Sequence, residues 1–410
     1  MMRSRYWMRM SMSIVILLTA NVSLGDDWPT YNHDNARSGI TSEQLPQALS
    51  ECWRFQCNHA PEPAWPPPAA QDFWHNHNQL RATVIYDRAF HTVAVRDAVY
   101  FASSADFSVY ALEAKTGKVR WVFFTGGPVR LAPVVAGSKL YVGSDDGCVY
   151  CLDTDNGSLI WKYEDAAENS MVPGNGRMIS FLSVRTGLVV DAGKVFFAAG
   201  LFPIEGTFLF ALNAESGSVL WREKLNVSPQ GYLLASTQNL YIPTGRTGPV
   251  SFARENGKFR GEFDSAGGAY TLLVENTLVT GPGRGAKQLN AADVTTNETI
   301  ATFGGMRMVV NGHIAYMQSE KGLTAIDRRK YLALSKQRIA LYSRQKQISD
   351  QLKKLARNSA PANELKDDLR NIQISLRQNK ESLEQCFIWK HACDDTYSLI
   401  MAGSTLFVGG

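Results

Sequence analysis

Two cysteines three positions apart, Cys148 and Cys151, sit in the stretch GSDDGCVYCLDTDNGSLIW (143–161). On a turn or a helix start this spacing converges two thiols on a metal ion or makes a redox pair. On a strand it sends them to opposite faces, because side chains alternate with period two. The neighbouring residues alternate as a strand does, so the pattern predicts two buried packing thiols and assigns the acidic residues to turns. A second candidate is His75 with His77, in CNHAPEPAWPPPAAQDFWHNHNQLR (57–81). The pair would share a strand face and, with His59, could hold a metal. No Cys or carboxylate completes a recognised ligand set, and the alternative is a loop that packs Trp65, Phe73 and Trp74 onto the body of the protein. GNGRM (174–178) has the glycines of a phosphate loop without its Lys and Ser/Thr or a following helix. The third candidate is basic. Arg88, Arg130 and Arg185 each stand just before an apolar run, in DRAFHTVAV, VRLAPVVAG and VRTGLVVDAG, while Arg246, Arg284 and Lys287 fall in glycine-bearing loops. Guanidinium groups converging from such loops could hold a carboxylate or phosphate; the alternative is that each Arg caps neighbouring backbone carbonyls and joins blades.

The elements that must position these groups repeat. VYALEAKTGKVRW ends at Trp121, VYCLDTDNGSLIW at Trp161 and LFALNAESGSVLW at Trp221, with VSFARENGKFRGEF (250–263) a weaker copy. The turn glycines Gly117, Gly157, Gly217 and Gly257 are thus 40, 60 and 40 residues apart, a spacing that means a solenoid or propeller. Within each copy the period is two, and about four short strands fit each forty residues, which is a propeller blade.

These residues resemble the pyrroloquinoline-quinone (PQQ) type propeller repeat, whose signature is a VYALDAxTGxxxW run. The opening WPTYNHDNARSGIT (28–41) and ECWRF (51–55) resemble the N-terminal entry of such proteins. The resemblance implies an all-β propeller of four-stranded antiparallel blades, seven or eight in number with the last incomplete, closed by an early strand carrying Trp53. On this reading residues 26–56 are the entry and ring-closing strand, 57–81 a Pro/Trp/His-rich loop, 82–334 blades, and 386–410 the end of a sixth blade and start of a seventh. The final YSLIMAGSTLFVGG supplies two strands where sister blades continue, as either a seven-bladed ring with a defective seam or a piece of a longer, eight-bladed protein would.

Residues 335–385 break the period. Leu341, Ile348, Leu352 and Leu355, then Leu365, Leu369, Ile372, Leu376 and Leu383, recur at heptad spacings on either side of RNSAPAN. This predicts an antiparallel helical coiled-coil hairpin with arms of about 25 residues, ~37 Å at 1.5 Å per residue. Eleven Lys/Arg against six Asp/Glu make it basic. Trp389 then supplies the delayed fourth strand of the interrupted blade.

Composition bounds the function. With 45% hydrophobic and 20% charged residues the chain is of globular type. Residues 1–25, with Arg3, Arg5 and Arg9 before MSIVILLTA, form a signal-peptide pattern too short to span a bilayer. No Cys follows the expected cleavage point, so no lipid anchor is expected. Without the leader, 39 basic residues face 38 acidic ones, which excludes wholesale nucleic-acid binding. Six cysteines in 410 residues are too few for a disulfide-built fold. Quinoprotein dehydrogenases of the resembled family bind PQQ over a Trp, with calcium on an acid and amide cluster and commonly a vicinal Cys pair. Here there is no adjacent Cys pair and no CxxCH haem signature. The expectation is an exported, periplasmic or extracellular, non-catalytic interaction scaffold, closer to the outer-membrane assembly lipoprotein propellers. Its partners would be envelope proteins, met through the hairpin or the top-face loops. The alternatives are a PQQ- and calcium-dependent oxidoreductase and a sensor that binds a small anion through Arg88, Arg130, Arg185, Arg246 and Arg284.

Overall fold

The computed structural model describes residues 25–46, 48–62, 89–165, 170–174, 177–245, 247–265, 267–268, 270–282, 287–355, 360–394 and 397–409. The expected leader, apart from Gly25, and Arg88, Arg246, Arg284, His75 and His77 lie outside them.

Six four-stranded antiparallel sheets follow one another along the chain, at 93–124, 134–164, 189–225, 234–262, 270–304 and 307–391. They are numbered one to six here, and in each the strands pair in sequence order, as an up-and-down blade requires. Successive innermost strands lie side by side: 93–95 against 134–136, 134–136 against 189–191, 234–235 against 270–274, and 270–274 against 307–311. Sheets three and four are joined by a short parallel pairing of Thr186 with Gly231. A seventh sheet has three strands, with Ile40–Thr41 parallel to Ser398–Ala402 and then Thr405–Gly409. The propeller architecture expected from the repeat is what the structure shows.

The signature glycine and tryptophan explain each other. Gly117, Gly157, Gly217 and Gly257 have φ of +69° to +72°. A Cβ on them would come within 2.5–2.8 Å of the indoles of Trp53, Trp121, Trp161 and Trp221 respectively. The indole of one sheet therefore lies flat on the turn of the next, where only glycine suits both the left-handed backbone and the close approach. The indole N–H of Trp121 donates to Thr154 O and that of Trp161 to Ala214 O, each at 3.0 Å. At the junction of sheets four and five both partners change: Gly261 stands where Trp would, and the Asn297 side chain lies against it, with Asn297 taking the left-handed turn position at φ 62°.

Trp53 docks like its counterparts, donating to Ala114 O at 2.8 Å. The strand that pairs with sheet seven, however, is not the Trp53 segment but Ile40–Thr41, and it joins the inner side. The reason lies in residues 28–41, which run past every innermost strand. Trp28 exchanges both backbone bonds with Ala94, Val135 N donates to Pro29 O, and the Asn35 side-chain amide donates to Val190 O. Ala235 N donates to Asn35 O, Leu273 N to Ala36 O and Met401 N to Gly39 O. Ile40 packs against the core cluster that holds Val309 of sheet six. Arg37, 1% exposed, sits at the hub with φ of 62°. Its guanidinium donates to the carbonyls of Leu233 and Leu188 and to the hydroxyl of Thr30.

Between the third strand of sheet six, Gly322–Asp327, and its fourth, Phe387–His391, stand helix α1, Arg328–Leu352, and helix α2, Ala360–Glu384. They pack together as the expected hairpin. Helix α1 starts seven residues before 335, because Asp327 caps it by accepting from Lys330 N at 3.1 Å. Trp389 pairs with Ala325 in the register that Trp121 keeps with Ala111 and Trp161 with Cys151.

Candidate functional site

Cys148 and Cys151 lie on the third strand of sheet two, Cys148–Asp153, and both are buried. Cys148 belongs to the core shared with sheet one and Cys151 to the core shared with sheet three. Burial pushes both thiols up to about 12. Facing apart and held neutral, they have neither the convergence nor the thiolate character that metal binding or disulfide exchange needs.

The arginines tell a different story. The stretch before the innermost strand of sheet two carries Arg130, and the stretch before that of sheet three carries Arg185. Both reach Asp145, in the connection between the second and third strands of sheet two. Arg130 Nε is 2.6 Å from one carboxylate oxygen and Arg185 Nε 3.1 Å from the other. All three side chains are buried. Arg130 also donates to Glu62 O at 2.6 Å, and Asp145 O accepts from Ser180 N and the Ser183 hydroxyl. Asp145 sits in the turn expected of it, but its side chain does more than serve that turn. It is the common counter-ion of two arginines from successive sheets, whereas its neighbour Asp146 does serve the turn, accepting from Cys148 N and the Tyr150 hydroxyl. The sequence signal for Asp145 was available: it lies in a second-to-third-strand connection, which opens on the same mouth as the strand entries that carry the arginines.

Deeper on the axis, Tyr31 stacks on Tyr232 with ring centroids 3.6 Å apart, and His91 stands edge-on to both. Tyr232 Oη accepts from Ala132 N at 2.9 Å. Next to Asp145 the connection between sheets two and three forms a hairpin, Met171–Gly174 with Arg177–Ser180. Its inward face buries Ile179, and Arg177 reaches over sheet one to Ser104 O, Ala105 O and the Glu62 carboxylate. Its outward face carries Met171, Pro173 and Met178, all exposed. The loop from Gly200 to Gly206 adds Phe202 and Ile204, the latter 93% exposed. Lys287, at the rim, pairs with Glu320.

A quinone cofactor of the kind the resemblance implies needs an indole floor and a carboxylate and amide cluster for calcium. Trp53, Trp121, Trp161 and Trp221 are committed to neighbouring turns, and Trp28 packs edge-on to His33 with centroids 5.1 Å apart. Among the described residues no three His, Cys, Asp or Glu side chains converge on a point where a cation could sit.

Compared with known sequences, the chain matches the model of the family described as outer membrane protein assembly factor BamB over residues 51–195 and 105–330. The chain belongs to this PQQ-like repeat family. Curated relatives include a tetrathionate hydrolase of Acidithiobacillus ferrooxidans, 25% identical over 114 residues, 28% of this chain and 19% of that protein. Another is a quinoprotein ethanol dehydrogenase of Pseudomonas putida, 24% identical over 212 residues, 46% of this chain and 32% of that one. The chain thus spans a third or less of the length of these relatives. Among solved structures, quinohemoprotein alcohol dehydrogenase from Comamonas testosteroni matches with a TM-score of 0.51 at 14% identity, covering 76% of this chain and 60% of that one. BamB from Moraxella catarrhalis matches with a TM-score of 0.43 at 16% identity, covering 57% and 68%. At such identities the structural likeness speaks for the fold alone. No helix among the described residues is long and apolar enough to cross a membrane.

Proposed function

We propose that this family member works outside the cytoplasm as a non-catalytic scaffold that binds a protein of the cell envelope at the mouth where Asp145 lies. One observation carries the reading: the hairpin 171–180 turns Met171, Pro173 and Met178 outward beside Phe202 and Ile204, an apolar group set on loops at one end of a rigid propeller. Large apolar side chains gathered on such loops mark a binding surface. The family supports the reading, since its description is that of an assembly factor.

Two measurements test it together. With a photo-crosslinking residue at Met178, envelope extract is expected to yield one discrete adduct, lost when Met171, Phe202 and Ile204 are changed to Ser. An unchanged adduct pattern in that variant would remove this surface from the proposal. Titration with PQQ and calcium, read by cofactor absorbance and by dye reduction with alcohols, is expected to give no turnover. Stoichiometric binding with turnover would replace the scaffold by an oxidoreductase.

A further inference from the structure

The helical hairpin divides its charge unequally. Helix α1 carries seven Lys/Arg and one Asp, whereas α2 carries four Lys/Arg and five Asp/Glu. The cations of α2 lie among these acids: Arg370 is 3.4 Å from Asp367 and Arg377 3.5 Å from Glu381. Those of α1 divide by position. At its base Arg328 is buried and held by Glu275 at 2.7 Å, and Tyr331 stacks on Phe303 of sheet five, which fixes the helix to the propeller. Beyond the base, Lys336 and Lys346 are exposed with no carboxylate within 4 Å among the described residues, and Arg344 is exposed with its only such partner, Asp368, 4.0 Å away. Lys336, Ile339, Ser343 and Lys346 follow at spacings of 3, 4 and 3, so they stand on one face of the helix. Ile339 and, on its flank, Tyr342 are exposed among these cations. The opposite face is committed: Ile348 is fully buried, and Leu334 O accepts from the buried Asn379 amide of α2.

We propose that the outward face of α1 docks on the anionic headgroups of a lipid surface. The charge is complementary, and its layout favours a membrane over an acidic polypeptide. The cations are strung along the cylinder rather than gathered in a cleft, and no neighbouring side chain pre-orders Lys336 or Lys346 as a rigid carboxylate partner would demand. Long flexible stems carrying charge beside an exposed Ile and Tyr suit a fluid interface, into which apolar tips enter shallowly while the ammonium groups stay at headgroup level. Each such cation strengthens binding to an anionic bilayer by roughly five-fold at low salt. This surface is separate from the apolar mouth, and either can fail without the other.

The test is co-sedimentation of the full chain with vesicles of phosphatidylcholine containing, or lacking, phosphatidylglycerol. Binding is expected only to the anionic vesicles and to be abolished by 0.5 M salt, a concentration chosen on the order of several times physiological to shrink the screening length. Lys336→Glu, Arg344→Glu and Lys346→Glu together are expected to weaken it by roughly 100-fold or more, with an unchanged thermal melt because all three positions are exposed. A control reversing Arg370 and Arg377 on α2 is expected to stay within about two-fold, since those cations are already neighboured by acids. No sedimentation with anionic vesicles, or equal sedimentation of the α1 variant, would overturn the proposal. Binding of soluble polyglutamate in place of vesicles, lost in the α1 variant, would overturn it in favour of an acidic polypeptide.

Discussion

Gly157 combines a left-handed backbone with an indole lying on it, so an added methyl group meets two obstacles at once. Gly137 has nearly the same φ, +65°, with nothing within 4 Å of where a Cβ would be. Gly137→Ala is therefore expected to cost the backbone strain alone, about 1 kcal/mol, and Gly157→Ala at least ~2 kcal/mol more as Trp121 is pushed from its seat. Denaturant unfolding of the two variants checks this, and equal losses would mean that indole docking contributes nothing to the junction. The thiols allow a second comparison. Cys148 and Cys151, buried and held protonated, are expected to stay unmodified by an aromatic disulfide reagent at pH 8 until denaturant is added, while exposed Cys52 reacts at once. At this scale the sequence was most informative where a residue repeats. The period-two alternation around the cysteines predicted their opposed burial correctly. The role of Asp145 was legible only in part: its connection opens on the same mouth as the strand entries that carry Arg130 and Arg185, but local spacing does not show that both arginines reach one carboxylate.

The segment 28–41 is fastened by an acid and imidazole cluster. The His33 ring lies 3.5 Å from Asp26 and 3.8 Å from Asp34. The nearby Asp34 carboxylate, with smaller help from Asp26, raises the imidazole above its ordinary 6.5 against the opposing effect of burial. Burial works to raise Asp34, but the nearby His33 imidazole and the bonds from Ser38 outweigh it and bring the carboxyl below its ordinary 3.8. The raised group stabilises fully below about 6.5 and loses its contribution as pH rises through the folded value. The lowered group stabilises above about 3.8 and loses its contribution as pH falls through its own. Thermal stability is thus expected to be highest between about 4 and 6.5 and to decline toward pH 8, with His33→Gln flattening the upper limb. A His33→Gln variant with the wild-type slope would show that the cluster is not the titrating element. The hairpin helices were legible from their heptads. The start of α1 was not, because capping by Asp327 lies outside the periodic stretch. Nor was the bulge that recurs opposite the turn in all six four-stranded sheets, as at Ala111/Leu112 and Cys151/Leu152. One extra residue shifts a fourth strand by a position without altering the apolar pattern that reveals it.

Across the whole molecule, Arg37 joins parts of the chain 151 and 196 residues away, at Leu188 and Leu233. Its burial pulls the guanidinium down to about 10, still charged at neutral pH. Arg37→Met keeps much of the volume but leaves those carbonyls without a donor in a closed interior. A loss of about 3 kcal/mol or more is expected in equilibrium unfolding, with the transition broadening as sheets three and four cease to melt with the rest. A loss below 1 kcal/mol would show that the neighbouring backbone bonds suffice. The repeat predicted the architecture because its period is written in every copy. The route of 28–41 through the centre occurs once, has no period, and rests on three non-glycine residues of positive φ, Asn32, His33 and Arg37, which no alternation rule anticipates.

That route also sets an order of assembly. The stretch 28–41 is made early, yet its last backbone bond is with Gly403, whose N–H donates to Thr41 O, so the inner ring stays unclosed until that residue has been made. Contacts closed over such separations form slowly. A nascent chain of this protein therefore waits with its own keystone in hand, and any factor that shields an open set of blades during that interval would act on yield rather than on the finished molecule.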